Sequence, residues 1–363
     1  MNLLIVKLSA VGDVIHTLPS LAALRKLCPE AHITWVIEEA ASDLLMDHPY
    51  LDRVIVSPRK MWGHDLKKGR IGKVLQEGAS FIRELRERPY DLVIDFHGLF
   101  KSAVIVLMSG GKRKLGYDSM QELSGLFYNE KIPEDMGKHA LNRYLDFPRY
   151  LAGGVELPDK DRNALTGREP EFCIVVGEEH RNRVEKLLKI NGIDRKERLV
   201  AVSPVALWET KLWEDEKFAR LCDRMMEELR ARVVLTGNDG EALSRIASRM
   251  KGSPVNLGGK TTLRDLAYLF ERSSVVITTD SGPMHLAAAV GTPVIALFGP
   301  TDPKRTGPYG QGHTVIRKEL PCSPCFLKKC ESRECMREIT VEEVFEAVRK
   351  KLGEIADTLN RRD

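Results

Sequence analysis

Residues 275–303, VVITTDSGPMHLAAAVGTPVIALFGPTDP, contain a complete strand–turn–helix–strand unit. A β-rich run at 275–278 is followed by a helix at 282–290, with Pro283 in its first turn, and a second strand at 294–297. Near-continuous apolar runs suit strands covered on both faces, and strands separated by helices predict a doubly wound parallel sheet. The same rhythm extends toward the N-terminus. Residues 199–202 and 233–235 read as strands, with 172–176 a further candidate, and helices are expected at 218–229, 241–250 and 263–270. In the first half, strands are expected at 3–6, 33–37, 54–56 and 92–95, interleaved with helices at 13–27, 41–46 and 71–88. Val14, Leu18, Leu21, Leu24 and Leu27 give the first of those helices its 3.6-residue period. The segment 153–168, rich in Gly, Pro and charge, reads as a linker. The expected organisation is therefore a Rossmann-like unit at 1–160, a second at 170–340, and a C-terminal helix within 341–363 packing back toward the first unit. Two such units make a central cleft the expected ligand site, because ligands of these sheets sit beyond the carboxyl ends of the strands.

The composition narrows the function classes. With 363 residues, 43% hydrophobic and 30% charged, the chain is long enough for two domains and apolar enough to give each a core. Its longest apolar run, 103–108, is far short of the roughly 20 residues a membrane-spanning helix needs. Lys7 and Asp13 interrupt the region that a signal peptide keeps apolar, so a cytoplasmic location is expected. A net charge of +4 is compatible with an anionic membrane surface or a phosphorylated ligand and gives no reason to expect nucleic acid. The run Lys67-Lys68-x-Arg70 with Lys73 reads either as a solvated helix face or as a rest for anionic headgroups.

Several loops at predicted strand ends carry chemistry-bearing residues. Gly12 lets the backbone bend after the first strand, and Asp13 stands at the helix start, where an aspartate either caps the helix or faces a ligand. Only one glycine is present there, so the dinucleotide fingerprint and the nicotinamide chemistry it implies are disfavoured. The Asp280-Ser281-Gly282-Pro283-Met284-His285 turn presents helix-start amides suited to a diphosphate, with Asp280 or Ser281 also able to cap. His285 points either at that anion or into the sheet. Lys211, between Trp208 and Trp213, offers an ammonium to a phosphate. Asp239 either accepts a ribose hydroxyl or caps the helix behind it, and the loop 259–263 is where a base edge would be read. Together these loops describe a nucleotide pocket. The tract Cys322-x2-Cys325-x4-Cys330-x4-Cys335 holds four of the seven cysteines. Four thiolates suffice for a structural zinc, but two x4 spacings are not a standard zinc pattern, and a compact loop is the alternative.

The combination of Val11-Gly12-Asp13, His16-Thr17-Leu18-Pro19, Lys211-x-Trp213, Asp280-Ser281-Gly282-x-x-His285 and Phe298-Gly299-Pro300-Thr301-Asp302-Pro303 resembles glycosyltransferase family 9, the ADP-heptose:lipopolysaccharide heptosyltransferases. The stretches 7–19, Trp35-Val36-Ile37-Glu38-Glu39, 98–103 and 126–129 are more similar to its type I members, which add the first heptose to inner-core Kdo, than to type II. The resemblance implies a GT-B fold with an acceptor-binding first unit and a donor-binding second unit. It also implies inverting transfer that needs no cofactor. Carried over, Asp13 is the general base, Lys211 neutralises the departing ADP, and the amides at Ala206, Ser281 and Gly282 hold its phosphates with His285 nearby. Asp280 takes donor-sugar hydroxyls, Asp239 the ribose, and Thr261 or Thr262 the adenine edge. Gly12, Lys60 and Lys101 fall on the acceptor side. The implied partners are ADP-heptose and Kdo-lipid A, met peripherally on the cytosolic face of the inner membrane; a family-9 enzyme with another donor or acceptor, such as a type II member, is the alternative. Gln121 replaces an acceptor-contacting arginine of a relative.

Overall fold

Leu3 and Ile5 pack on one face of their strand and Leu4 and Val6 on the other, into two separate apolar cores. That double burial is why this strand reads as an unbroken apolar run. The computed structural model describes residues 1–119, 121–153, 165, 170–195 and 197–360, the last three by backbone alone. Contacts divide the chain into the units Met1–Val175 and Val176–Asp363. Most of the expected linker, at 154–164 and 166–168, lies outside the described residues.

The first unit holds strands β1 (Asn2–Val6), β2 (His32–Glu38), β3 (Arg53–Ser57), β4 (Leu92–Asp95), β5 (Arg113–Tyr117) and β6 (Glu130–Ile132). Its helices of eight residues or more are α1 (Val11–Leu27), α2 (Arg59–Lys67), α3 (Ile71–Leu85), α4 (Phe100–Met108) and α5 (Ala140–Leu151). The sheet order is β3-β2-β1-β4-β5-β6. Every ladder in it is parallel. The order reverses direction between β1 and β4, which makes the loops after those two strands the switch point where such folds bind ligands.

The second unit repeats this plan. Its strands are β7 (Leu199–Ser203), β8 (Arg232–Leu235), β9 (Val255–Asn256), β10 (Val275–Thr279), β11 (Val294–Phe298) and β12 (Thr314–Arg317). Its described helices of eight residues or more are α6 (Glu178–Ile190), α7 (Asp215–Glu228), α8 (Gly240–Ala247), α9 (Leu263–Arg272), α10 (Gly282–Ala289) and α11 (Val341–Asn360). The order β12-β11-β10-β7-β8-β9 places its switch point between β7 and β10. Both doubly wound units are thus present as expected.

Some local expectations change. Residues 172–176 form no strand and join no sheet among the described residues. This stretch is tied down by its neighbours: Glu171 accepts from Lys26 and Tyr50, and His48 meets the carbonyl of Cys173. In the C-terminal helix, Val341, Val344, Phe345, Val348 and Leu352 belong to the second unit's core, with Phe218, Leu221, Cys222 and Met225 of α7. Their i, i+3, i+4, i+7 spacing forms an apolar stripe that needs cover, and α7 with β10–β12 supplies it. No described helix is long and apolar enough to cross a membrane.

Phe345 is 2% exposed, and the Arg224 guanidinium lies 3.8 Å over its ring. Phe345→Ala is expected to destabilise the second unit by about 3–5 kcal/mol, the usual cost of emptying a buried aromatic site. Denaturant unfolding checks this; an unchanged midpoint would mean that α11 is dispensable to that core.

Candidate active site

At the first switch point, α1 begins four residues after β1 leaves the sheet, which puts Asp13 at its third helical position with Gly12 buried before it. The helix is capped at Ala10, not at Asp13. Asp13 Oδ2 instead accepts from the Ala10 amide at 3.3 Å, while Oδ1 accepts from the Tyr144 hydroxyl at 3.1 Å. That hydroxyl in turn accepts from Lys7 Nζ at 2.7 Å, and Lys7 also donates to the Phe96 carbonyl at 2.9 Å. Lys7 is 3% exposed; burial pulls its pKa below the usual lysine range, against the charges of Asp13 and Asp95. Burial, reinforced by Asp13, pushes the Tyr144 phenol well above its ordinary value. Tyr144 therefore stays protonated and serves as a fixed donor to the carboxylate.

The loop after β4 is built by Asp95, whose Oδ1 accepts from the amides of His97 and Gly98 and whose Oδ2 accepts from Tyr128 at 2.7 Å. Gly98 has φ +68°, a left-handed conformation that favours glycine. Gly116 is demanded by the same brace, since a Cβ there would lie 2.4 Å from the Tyr128 ring. His97 emerges from this loop. Burial, with the charges of Lys7 and Lys101, brings its pKa down to about 3, and Asp13 and Arg59 also act on it. His97 is thus a neutral imidazole set among these groups, and both its ring nitrogens are buried without a hydrogen-bond partner among the described residues.

Glu38, 1% exposed at the end of β2, gathers the nearby cations. Arg59 approaches to 2.5 Å, Lys60 to 3.1 Å and Lys101 to 3.9 Å. Lys101 also reaches Ser9 Oγ at 3.4 Å. Burial opposes ionisation of Glu38, but hydrogen bonds from Arg59 and Lys60 prevail and hold its pKa below the ordinary value. Three cations around one carboxylate leave net positive charge for an acidic ligand. Lys60 and Lys101, singled out from the sequence, are therefore brought together. The sequence reading gave no role to Glu38, although it lies within the quoted Trp35–Glu39 motif.

At the second switch point, Lys211 closes a short turn, Glu209–Lys211, after β7, and Asp280 follows β10. Lys211 Nζ lies 2.6 Å from Asp280 Oδ2, which also accepts from Thr301 Oγ1 at 2.6 Å. The ammonium sits 4.6 Å over the Trp208 ring, whereas Trp213 is core and donates to the Ile339 carbonyl at 3.0 Å. Ser281 precedes α10 without capping it through its side chain, so Gly282 and its neighbours sit where a helix leaves amides without intrahelical partners. His285 is buried on α10 at 8% exposure, and Ala206 is half-buried in the β7 loop.

Two of the expected nucleotide contacts are occupied locally. Asp239 Oδ1 caps α8 by accepting from the Ala242 amide at 2.9 Å. Thr262 caps α9, exchanging hydrogen bonds with Asp265 in a capping box; Thr261 is half-buried beside it. Of the cysteine tract, Cys322 is exposed, Cys325 and Cys330 are half-buried, and Cys335 is buried against the second core. All are free thiols, and among the described residues no group of three His, Cys, Asp or Glu is placed to hold a metal ion. The zinc expectation thus finds no support. Burial, with the other three cysteines nearby, pushes the Cys335 thiol up.

Two doubly wound units of the same strand order, with charged residues collected at each switch point, are the architecture of a GT-B glycosyltransferase. The chain belongs to glycosyltransferase family 9 (heptosyltransferase), whose model matches residues 79–336. It is 30% identical to lipopolysaccharide heptosyltransferase 1 of Pseudomonas aeruginosa over 344 residues, covering 91% of this chain and 87% of that one. A family 9 glycosyl transferase from Veillonella parvula superposes with a TM-score of 0.81 at 25% identity, covering 97% of both chains. The Escherichia coli heptosyltransferase WaaC with ADP superposes with a TM-score of 0.75 at 25% identity, covering 97% of this chain and 100% of that one.

The Glu38 cluster gives a pH test. Its folded pKa lies below the unfolded value, so its contribution to stability is full at neutral pH and is lost as pH falls through the folded pKa. Glu38→Gln is expected to lower the melting temperature at pH 7, with the gap to the unaltered protein closing below the ordinary glutamate range. A gap that stayed constant down to acid pH would show that the carboxylate's charge is not what holds the cluster.

Proposed function

We propose that this transferase moves heptose from ADP-L-glycero-D-manno-heptose to the Kdo of lipid A-linked inner core, inverting the anomeric carbon. The observation that carries the reading is the Asp13 carboxylate, fixed by protonated Tyr144 and backed by buried Lys7 at a switch point. The names of the relatives, a lipopolysaccharide heptosyltransferase 1 and a heptosyltransferase with ADP, support an ADP-linked heptose donor and a lipopolysaccharide acceptor. Asp13 accepts the proton of the acceptor hydroxyl as that oxygen attacks the anomeric carbon and the bond to the ADP oxygen breaks. Charge on the departing diphosphate is met by Lys211 and by the amides at the head of α10. Asp280, now paired with Lys211, then turns to donor-sugar hydroxyls, and the carboxylates of Kdo are matched by Lys60 and Lys101. Asp239, Thr261 and Thr262 border the nucleoside, with Ala206 and His285 by the phosphates. The acceptor-binding role falls to the first unit and the donor-binding role to the second. We place the reaction peripherally on the cytosolic face of the inner membrane, where a nucleotide sugar and a lipid-linked acceptor are both available.

Mass-spectrometric detection of heptose transfer from ADP-heptose to Kdo-lipid A, with and without chelator, tests the whole reading. Transfer only to an already heptosylated core would move the enzyme to the type II alternative. Asp13→Asn is expected to reduce kcat by about 10²–10⁴-fold, the usual contribution of a positioned base, with ADP affinity by calorimetry unchanged. Normal turnover would remove Asp13 from the chemistry.

Tyr144 is a positioning residue in this scheme. Tyr144→Phe removes a donor that favours the ionised carboxylate, so the acid limb of the kcat/KM profile is expected to move up by about one pH unit, equivalent to about 1.4 kcal/mol. A uniform fall in rate with the limb unmoved would indicate a merely structural role.

A further inference from the structure

The α2–α3 hairpin exposes large apolar side chains as well as burying some. Inside, Trp62 packs edge-on against Phe81 at 5.8 Å, and Phe81 and Leu85 join the first unit's core. Outside, Met61, Leu66, Ile71 and Leu75 are 48%, 51%, 59% and 68% exposed. Four large apolar side chains within fifteen residues gain nothing for the fold by facing water. Isolated exposed apolar residues are ordinary, but a group of this kind rimmed by charge marks an interaction surface.

The rim is cationic. Lys60, Lys67, Lys68, Arg70 and Lys73 are all exposed on this hairpin. Its three acidic residues are already engaged, Glu84 with Arg53 of β3 at 3.5 Å. Asp65 is buried and accepts from Arg70 at 3.2 Å and Lys73 at 2.7 Å, while Glu77 lies 3.5 Å from Lys73. Lys67 and Lys68 make no ion pair among the described residues. Asp65 also fixes the turn, because its backbone carbonyl accepts from the amides of Lys68 and Arg70. Gly69 completes that turn at φ +73°. Leu66 and Ile71 thus flank a hydrogen-bonded turn that carries Lys67, Lys68 and Arg70.

Apolar side chains interspersed with lysine and arginine match the boundary between acyl chains and anionic headgroups, where the chains enter hydrocarbon and the cations remain at the phosphates. A solvated helix face accounts for the lysines but not for Leu66, Ile71 and Leu75. We propose that the α2–α3 hairpin is the surface by which this protein docks on an anionic phospholipid bilayer. The hairpin follows β3, and its first residues, Arg59 and Lys60, reach Glu38 with Lys101, so docking brings lipid to the unit that carries Asp13. The benefit to a lipid-linked acceptor rests on the proposed function; the docking itself does not.

The test is sedimentation of the full chain with vesicles of phosphatidylcholine alone or mixed with phosphatidylglycerol. Binding to the mixed vesicles is expected to exceed that to phosphatidylcholine by about tenfold or more and to weaken at high salt. Lys67→Glu/Lys68→Glu is expected to abolish this preference. Leu66→Ser/Ile71→Ser/Leu75→Ser is expected to lose about tenfold in vesicle affinity although every cation remains, with melting temperature and turnover of a deacylated acceptor unchanged. Vesicle binding is read without turnover, so a wrong acceptor assignment would leave it intact. The proposal is overturned if neither vesicle binds, if both variants bind like the unaltered protein, or if the apolar substitutions abolish self-association instead of lipid binding.

Discussion

A strand buried on both faces offers no side chain to a ligand until it leaves the sheet, and the structure depends on that constraint. Leu3 to Val6 fill two cores at once, and Val275 to Thr279 are fully covered. Chemistry is therefore confined to the carboxyl ends, and the strand order concentrates it further at β1/β4 and at β7/β10. Asp13, His97 and Lys101 follow the first pair; Lys211 and Asp280 follow the second. One topological rule, applied twice, assembles both sets.

The two sets handle charge differently. In the first unit the cations are anchored by buried partners: Lys7 by Tyr144 and the Phe96 carbonyl, and the Arg59–Lys60–Lys101 group by Glu38. Burying Lys7 is costly unless it is hydrogen-bonded, and here the bonds it makes hold Tyr144 against Asp13. In the second unit Lys211 and Asp280 neutralise each other directly, with Thr301 on the same oxygen. Such a pair can separate when a diphosphate supplies the lysine with an anion and a sugar supplies the aspartate with donors.

The sequence revealed the parts of the molecule that depend on local pattern. Continuous apolar runs identify β1, β2, β7, β10 and β11, and the Gly12-Asp13 and Asp280–His285 turns mark the strand ends. Strands without such a run escape this reading: β5 opens on Arg113-Lys114, β6 has three residues, β9 has two, and β12 has no fully buried position. Partners distant in the chain escape it as well. Tyr144 lies 131 residues from Asp13 and 137 from Lys7, and nothing near it in sequence indicates the contact. His97 is ordinary in sequence and takes its character from burial and from the cations folded around it. The C-terminal helix was legible as amphipathic, but its spacing could not specify which apolar surface it would cover.

The central claim is that each switch point performs a separate task, with the nucleotide held by the second unit alone. Amide hydrogen exchange on the full chain with saturating ADP tests this most directly. The account predicts slowed exchange at 203–211 and 280–286, with 9–16 and 95–101 unchanged. Protection confined to the first unit, or absent from 280–286, would contradict it.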